Sequence, residues 1–210
     1  MFGANQITSV PLFDISHITS MSNMFYNCWM LTSIPLFDTS NVTDFAWTFS
    51  NCSKITSIPA FNTGKATSLY STFNSCSALV TIPLIDARNV TSFSSCFYGC
   101  KQLTNLTVKN IKTSLIVGSG TSYGHLLTVD SLVHLCYELR DTGSLNTLTM
   151  GTANLAKLAD VYVRAIEITD EMRAEDDLID EKLPFERCES TDEGATLISD
   201  YVTLKNWKLA

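Results

Sequence analysis

The chain has 210 residues, 45 % of them hydrophobic and 17 % charged, with a net charge of −7. That apolar content is enough to bury a sizeable core, and Ser and Thr rather than charged residues fill the polar positions. No clustered Lys and Arg form the basic stripe that phosphate contacts need, which excludes nucleic-acid binding.

The charge is uneven: residues 167–193 hold twelve acidic residues against Arg173, Lys182 and Arg187, and the rest of the chain sums to +2. No stretch approaches the roughly 18 apolar residues of a membrane span, so direct membrane insertion is not expected. The start at Met1 lacks the basic and apolar regions of a signal peptide.

From the N-terminus, the string ITSVPLFD of Ile7 to Asp14 recurs as LTSIPLFD at Leu31, ITSIPAFN at Ile55 and LVTIPLID at Leu79. A decayed fifth start at Leu103 keeps the 24-residue step. Self-similarity at a fixed period is the mark of a stacked repeat architecture. Within each unit, Ile7, Val10 and Leu12, then Leu31, Ile34 and Leu36, match an L-x-x-L-x-L strand and are expected in the core. Pro11, Pro35, Pro59 and Pro83 lack an amide donor, so the strands are expected to be very short or irregular there.

The second half of each unit places apolar residues at Val42, Phe45 and Phe49, a spacing of three then four that predicts a short helix after turn and capping residues in Asp38 to Asn41. Equivalent positions should stack as columns: Ile18, Val42, Ala66 and Val90; Met21, Phe45, Leu69 and Phe93; Phe25, Phe49, Phe73 and Phe97. One unit cannot bury its own apolar side, so stability becomes a sum over neighbouring interfaces. Cys28, Cys52, Cys76 and Cys100 make a further column. It reads either as a metal ladder or alternating disulfides, or as small buried thiols filling a turn. Seven cysteines cannot all pair within one chain.

Phe37-Asp-Thr-Ser-Asn-Val-Thr, followed by Phe49-Ser-Asn-Cys-Ser and a renewed Ile-Thr-Ser-Ile-Pro, resembles the BspA-like leucine-rich repeats of bacterial surface proteins over about residues 7–110. The resemblance implies adhesion or recognition modules, found also in proteins of gut bacteria and their phages. The expected fold is α/β, a leucine-rich-repeat-like solenoid of 24-residue units. Residues 1–126 form the solenoid and residues 127–210 a mixed α/β capping region with an acidic insertion at 167–193.

Downstream, Thr128 to Arg140 predicts one amphipathic helix carrying Leu132, Val133, Leu135, Cys136 and Leu139. Thr147 to Gly151 reads as a short strand, Asn154 to Leu158 as an abbreviated coil, Ser190 to Glu193 as a capping box, and Trp207 to Leu209 as a final strand. This order resembles the closing segment of such repeats in phage and prophage tail-associated proteins. A cover at that end is needed because an open last coil exposes apolar surface and strand edge.

His17, His125 and His134 stand in unrelated contexts, without metal-ligand spacing. No phosphate-binding or nucleophile motif occurs, and the acidic segment lacks an EF-hand's central Gly. Asn41, Asn51, Asn89 and Asn105 lie in sequons that recur with the repeat. No catalytic residue, metal ligand or cofactor is therefore expected.

The candidate ligand-binding face is the strand side, where Ser9, Ser33, Ser57 and Thr81 form one column and Phe13, Phe37, Phe61 and Ile85 another. Hydroxyls beside exposed rings suit a cell-surface protein or glycan; the other reading buries the Phe column at the strand-to-turn corner. The functional expectation is a non-catalytic recognition module of a tail-associated virion protein or a bacterial surface protein. The alternative is a structural virion or surface-layer component without a ligand of its own. Further expected partners are other subunits of the assembly, including copies of the chain.

Overall fold

A computed structural model describes residues 6–117, 127, 128, 131, 132, 134, 135, 139, 140, 145–150, 154 and 207–209. The acidic segment 167–193, the capping box at Ser190, most of the coil after Asn154, Val133, Cys136 and His125 lie outside the described residues. Among the described residues five strands are present: β1 (Thr81–Asp86), β2 (Asn105–Lys109), β3 (Leu115–Ile116), β4 (Asn146–Thr149) and β5 (Trp207–Leu209).

Each 24-residue unit is one coil laid on the next, and two backbone ladders hold the coils together. On the strand side the amide of each coil donates to the carbonyl 24 residues earlier: Thr32 to Thr8, Val80 to Thr56, Thr104 to Val80 and Thr128 to Thr104, at 2.7–3.0 Å. The step therefore continues through Thr128, across the expected boundary between residues 126 and 127. A second row joins Thr43 to Thr19, Thr67 to Thr43 and Thr91 to Thr67. In that row each Thr hydroxyl donates to the same carbonyl as its own amide, at 3.0–3.1 Å, so the threonines clamp neighbouring coils twice.

The second half of each unit is not helical, which corrects the helix expected over residues 41–52. Amides there alternate. Phe45, Trp47, Phe49 and Asn51 donate to Ser68, Tyr70, Thr72 and Asn74 of the next coil, whereas Thr48, Ser50 and Cys52 close turns onto Phe45, Trp47 and Phe49. A helix would consume all of these donors internally. What prevents it is a left-handed residue at every fourth position: Asn23 and Asn27, Trp47 and Asn51, Ser71 and Ser75, Ser95 and Gly99, with φ between 52° and 77°. Apolar residues three and four apart still share a face, because each pair of turns advances the chain as one helical turn would.

Asn and Gly suit that conformation. At Gly99 it is combined with crowding, since an added Cβ would sit 3.1 Å from the Ser75 Cα. Ser71, Ser75 and Ser95 adopt it as well, and Trp47 is the bulkiest residue to do so, at a position where other coils carry Asn23, Ser71 and Ser95; a side chain with a Cβ costs about 1–2 kcal/mol there.

The core runs down the middle of the stack. Met21, Phe45, Leu69 and Phe93 are buried, and the rings of Phe25, Phe49, Phe73 and Phe97 lie nearly parallel at 5.6–6.2 Å between centroids. Each such ring contributes about 1.5–3 kcal/mol by burial. Cys28, Cys52, Cys76 and Cys100 are buried thiols outside any disulfide. Cys52, Cys76 and Cys100 donate to the carbonyls of Phe25, Phe49 and Phe73, at 3.0–3.2 Å. Burial pushes the Cys52 and Cys100 thiols up to about 12, which disfavours the thiolate at neutral pH.

The strand half obeys the prolines. Isolated parallel bridges, Ser9 to Ser33 and Ser57 to Thr81, stand where regular strands would pair. A full strand pair forms between β1 and β2, where Thr107 occupies the position of the prolines in the earlier units. Even there the register shifts by one between Ile82 and Ile85, so β1 bulges at Pro83 and Leu84.

That extra residue reverses the alternation. Leu31, Ile55, Leu79 and Leu103 are buried as expected, and Ile82 and Leu106 too, while Val10, Ile34 and Ile58 are half-buried. The third expected core position is corrected: Leu12, Leu36, Ala60 and Leu84 point outward.

Beyond the repeats, parallel pairing continues in the order β3-β4-β5. Ser131, Leu132, His134 and Leu135 are helical, with the Thr128 hydroxyl accepting the Ser131 amide; Leu139, expected on the same helix, instead forms a parallel bridge with Ile111. Leu132, Leu135 and Leu139 are buried. The buried Asn154 side chain fastens three backbones: it accepts from Leu127 N and donates to the carbonyls of Val117 and Met150, at 3.0–3.3 Å.

Candidate functional site

The strand face is built by short extended segments ending at the proline of each unit. Ser9, Ser33 and Ser57 are exposed on it and Thr81 is half-buried. Thr8, Thr32 and Thr56 lie exposed beside them. The Thr32 hydroxyl is committed to the Thr8 carbonyl at 3.0 Å, so this column binds coil to coil before it binds anything else.

Of the two expected readings of the aromatic column, burial at the corner is the one observed. Phe37 is 2 % and Phe61 7 % exposed, and Ile85 is buried. Phe13 is half-buried against Phe37, with ring centroids 4.8 Å apart. Phe37 and Phe61 stack on the central ladder at Phe25 and Phe49, at 6.2 and 5.8 Å. In β1 the bulge after Pro83 turns Ile85 inward.

The same parity change puts a different apolar column outside. Leu12 is 69 %, Leu36 62 % and Leu84 44 % exposed, with Ala60 in line between them. Coils spaced like parallel strands set the members of a column about 4.8 Å apart. Sequence reasoning missed this column because it read each Leu as the last core residue of a regular strand. The signal was the proline immediately before each of them.

At the corner of this face runs the column Asp14, Asp38, Asn62, Asp86. Each side chain accepts the amide two residues on: Ser16, Ser40, Gly64 and Arg88. These bonds hold the exposed Asp14 and Asp38 below the usual carboxylate range, with Ser16 and Ser40 as the main causes.

At Asp86 burial pulls upward but is outweighed by hydrogen bonds from Arg88 and Asn110, and its carboxyl falls to about 2. Lys109 adds a salt bridge at 3.5 Å. His17 projects into solvent 3.9 Å from Asp14. His134 is half-buried on the helical segment, and its Nε2 has no partner among the described residues.

A small apolar space of about 20 Å³ lies among Phe49, Phe61, Phe73 and Ile85, enough for about one water. No cluster of three or more His, Cys, Asp or Glu side chains able to hold a metal occurs among the described residues. No helix there is long and apolar enough to cross a membrane.

Stacked coils with buried columns inside and repeated outward columns define a repeat protein, in which the chemistry available among the described residues lies on an extended surface. Residues 1–110 match the model of the family described as "Mycoplasma protein of unknown function, DUF285", a BspA-like repeat family, and the chain belongs to it. Comparison with curated proteins and with solved structures gives no match.

Proposed function

We propose that the coils form a leucine-rich-repeat-like solenoid acting as a non-catalytic recognition module, which holds a cell-surface protein or glycan on its strand face. The observation that carries this reading is the column Leu12, Leu36 and Leu84, large apolar side chains repeated on the outside beside the exposed hydroxyls of Ser9, Ser33 and Ser57. Packing does not require these leucines, and contiguous exposed apolar surface rimmed by polar groups marks interaction sites. The setting we propose is a tail-associated virion protein or a bacterial surface assembly, following the BspA-like character of the repeats.

The test is saturable binding of the purified protein to bacterial cells, with Leu36→Ser and Leu84→Ser combined as the control. Because both side chains are exposed, the variant should fold as the parent does. The expected result is binding that weakens roughly tenfold or more in the variant. Binding that is unchanged in the variant would move the site off this face. Absence of binding to every cell surface tried would sink the recognition reading in favour of a purely structural part.

A further inference from the structure

We propose that Tyr26, Trp47 and Tyr70 form a binding site for a neutral saccharide on the turn side of the stack. This deepens the recognition reading and rests on it, but it uses residues outside the strand face.

The three side chains come from three successive coils and meet in a row. Tyr26 and Trp47 lie 6.0 Å apart between ring centroids at 84°, and Trp47 and Tyr70 lie 5.4 Å apart at 68°. Tyr26 and Trp47 are half-buried and Tyr70 is exposed. Near-perpendicular rings leave right-angled corners, with one ring as floor and its neighbour as wall. A pyranose presents an apolar C–H face and a polar edge, which such a corner accommodates: the face packs on the floor ring and the hydroxyls point outward.

The repeat does not call for an indole here. Trp47 shares the left-handed backbone of its equivalents at φ 59°, where the repeat elsewhere places Asn or Ser. Stacking of the coils does not need the indole, since Asn23, Ser71 and Ser95 occupy the same position without it.

The surroundings select the ligand's chemistry. Across residues 20–27, 44–51, 68–75 and 92–99, Asp44 is the sole charged residue, so a polyanion or a basic peptide finds almost nothing to pair with. What lies beside the rings is hydroxyl. Ser20, Asp44, Ser68 and Ser92 form one column of parallel bridges. The hydroxyl oxygens of Ser68 and Ser92 accept the amides of Tyr70 and Ser94, at 3.3 and 3.4 Å, which leaves their protons to donate outward. Asp44 accepts from Ala46 and Ser20, at 2.9 and 3.4 Å, and its remaining lone pairs suit sugar hydroxyls. Rings flanked by uncharged donors and one carboxylate match a neutral polyhydroxyl ligand.

The experiment is a screen of the full chain on an array of neutral glycans, followed by titration of the best oligosaccharide with indole fluorescence and calorimetry. The variants are Trp47→Ser and Tyr70→Ser, with Lys101→Ala, an exposed residue outside both faces, as the control. Trp47→Ser installs the residue that other coils carry at this position and is expected to leave the melting temperature unchanged or raised. Loss of affinity by roughly tenfold or more in Trp47→Ser and Tyr70→Ser, with Lys101→Ala unchanged, is the expected result.

Oligosaccharide binding that survives both aromatic substitutions overturns the site. Failure of any neutral glycan to bind at millimolar concentration overturns the saccharide, while cell binding lost in the Leu36, Leu84 variant would leave the recognition reading standing.

Discussion

The two halves of each coil solve one problem in opposite ways. On the turn side every second amide reaches the next coil, the ladder is continuous from Met21 to Ser75, and left-handed residues make it so. On the strand side a proline in each of the first four units removes a donor, and pairing shrinks to single bridges until Thr107 restores a strand. The turn half therefore supplies most of the cohesion between coils, and the strand half is freer to vary what it shows outside. Interruption of a sheet by proline also blunts an edge that would otherwise recruit further strands.

The largest expected effect lies where both halves meet. Phe49 stacks on Phe25, Phe61 and Phe73, and Phe49→Ala should cost about 3–5 kcal/mol by cavity formation, measured by chemical denaturation. A loss under about 1 kcal/mol would mean that the ring ladder does not carry the stack.

Proline placed in each half sharpens the contrast. Ser71 donates its amide to Ser94 at 2.9 Å and sits at φ 52°, so Ser71→Pro should cost about 3 kcal/mol or more. Removing a proline from the strand half, Pro59→Val, trades loop rigidity against one regained donor and should change stability by less than about 1 kcal/mol. Equal effects from the two substitutions would erase the distinction between the halves.

Acid separates the corner from both faces. The Asp86 carboxyl, depressed to about 2, stabilises the fold at pH values above the ordinary carboxylate range. That contribution is lost as pH falls from about 4 through about 2. Asp86→Asn, which places the residue found at Asn62 in the same turn, should be less stable than the parent at neutral pH and should flatten the acid limb of a stability profile. An unchanged acid limb would remove Asp86 from the account.

The threonine clamps give a smaller effect than the ring ladder or the Ser71 amide. Thr43→Val deletes the hydroxyl bond to Thr19 but keeps the backbone bond, and should cost about 0.5–1.5 kcal/mol in a melting experiment. Summed over Thr67 and Thr91, the same deletion should add, since each clamp acts at a separate interface.

How much could be read from the sequence follows from which signals repeat. The columns led by Met21, Phe25 and Cys28 were legible because their 24-residue step translates directly into stacking, and all three are buried. The strands at Asn146 to Thr149 and Trp207 to Leu209 and the helical residues around Leu132 were legible from short apolar patterns.

The helix over residues 41–52 was misread because a spacing of three and four fits paired turns as well as a helix. The choice was made by left-handed backbone at Trp47 and Asn51, which side-chain periodicity does not report. The outward Leu column was missed, and burial of the Phe column was left as one of two readings, because alternation alone does not report a bulge such as the one at Pro83 and Leu84 in β1. The row Tyr26, Trp47, Tyr70 was invisible to a column search because its members are 21 and 23 residues apart, off the repeat period.

By itself the sequence determined the period, the stacking direction of equivalent residues and the interior of the turn half, because identical units placed on one another bury identical side chains. The tertiary structure decided which way the chain faces after each proline and where amides go in the turn half. Both depend on backbone angles and on donors in a neighbouring coil, 23 or 24 residues distant in sequence and adjacent in space.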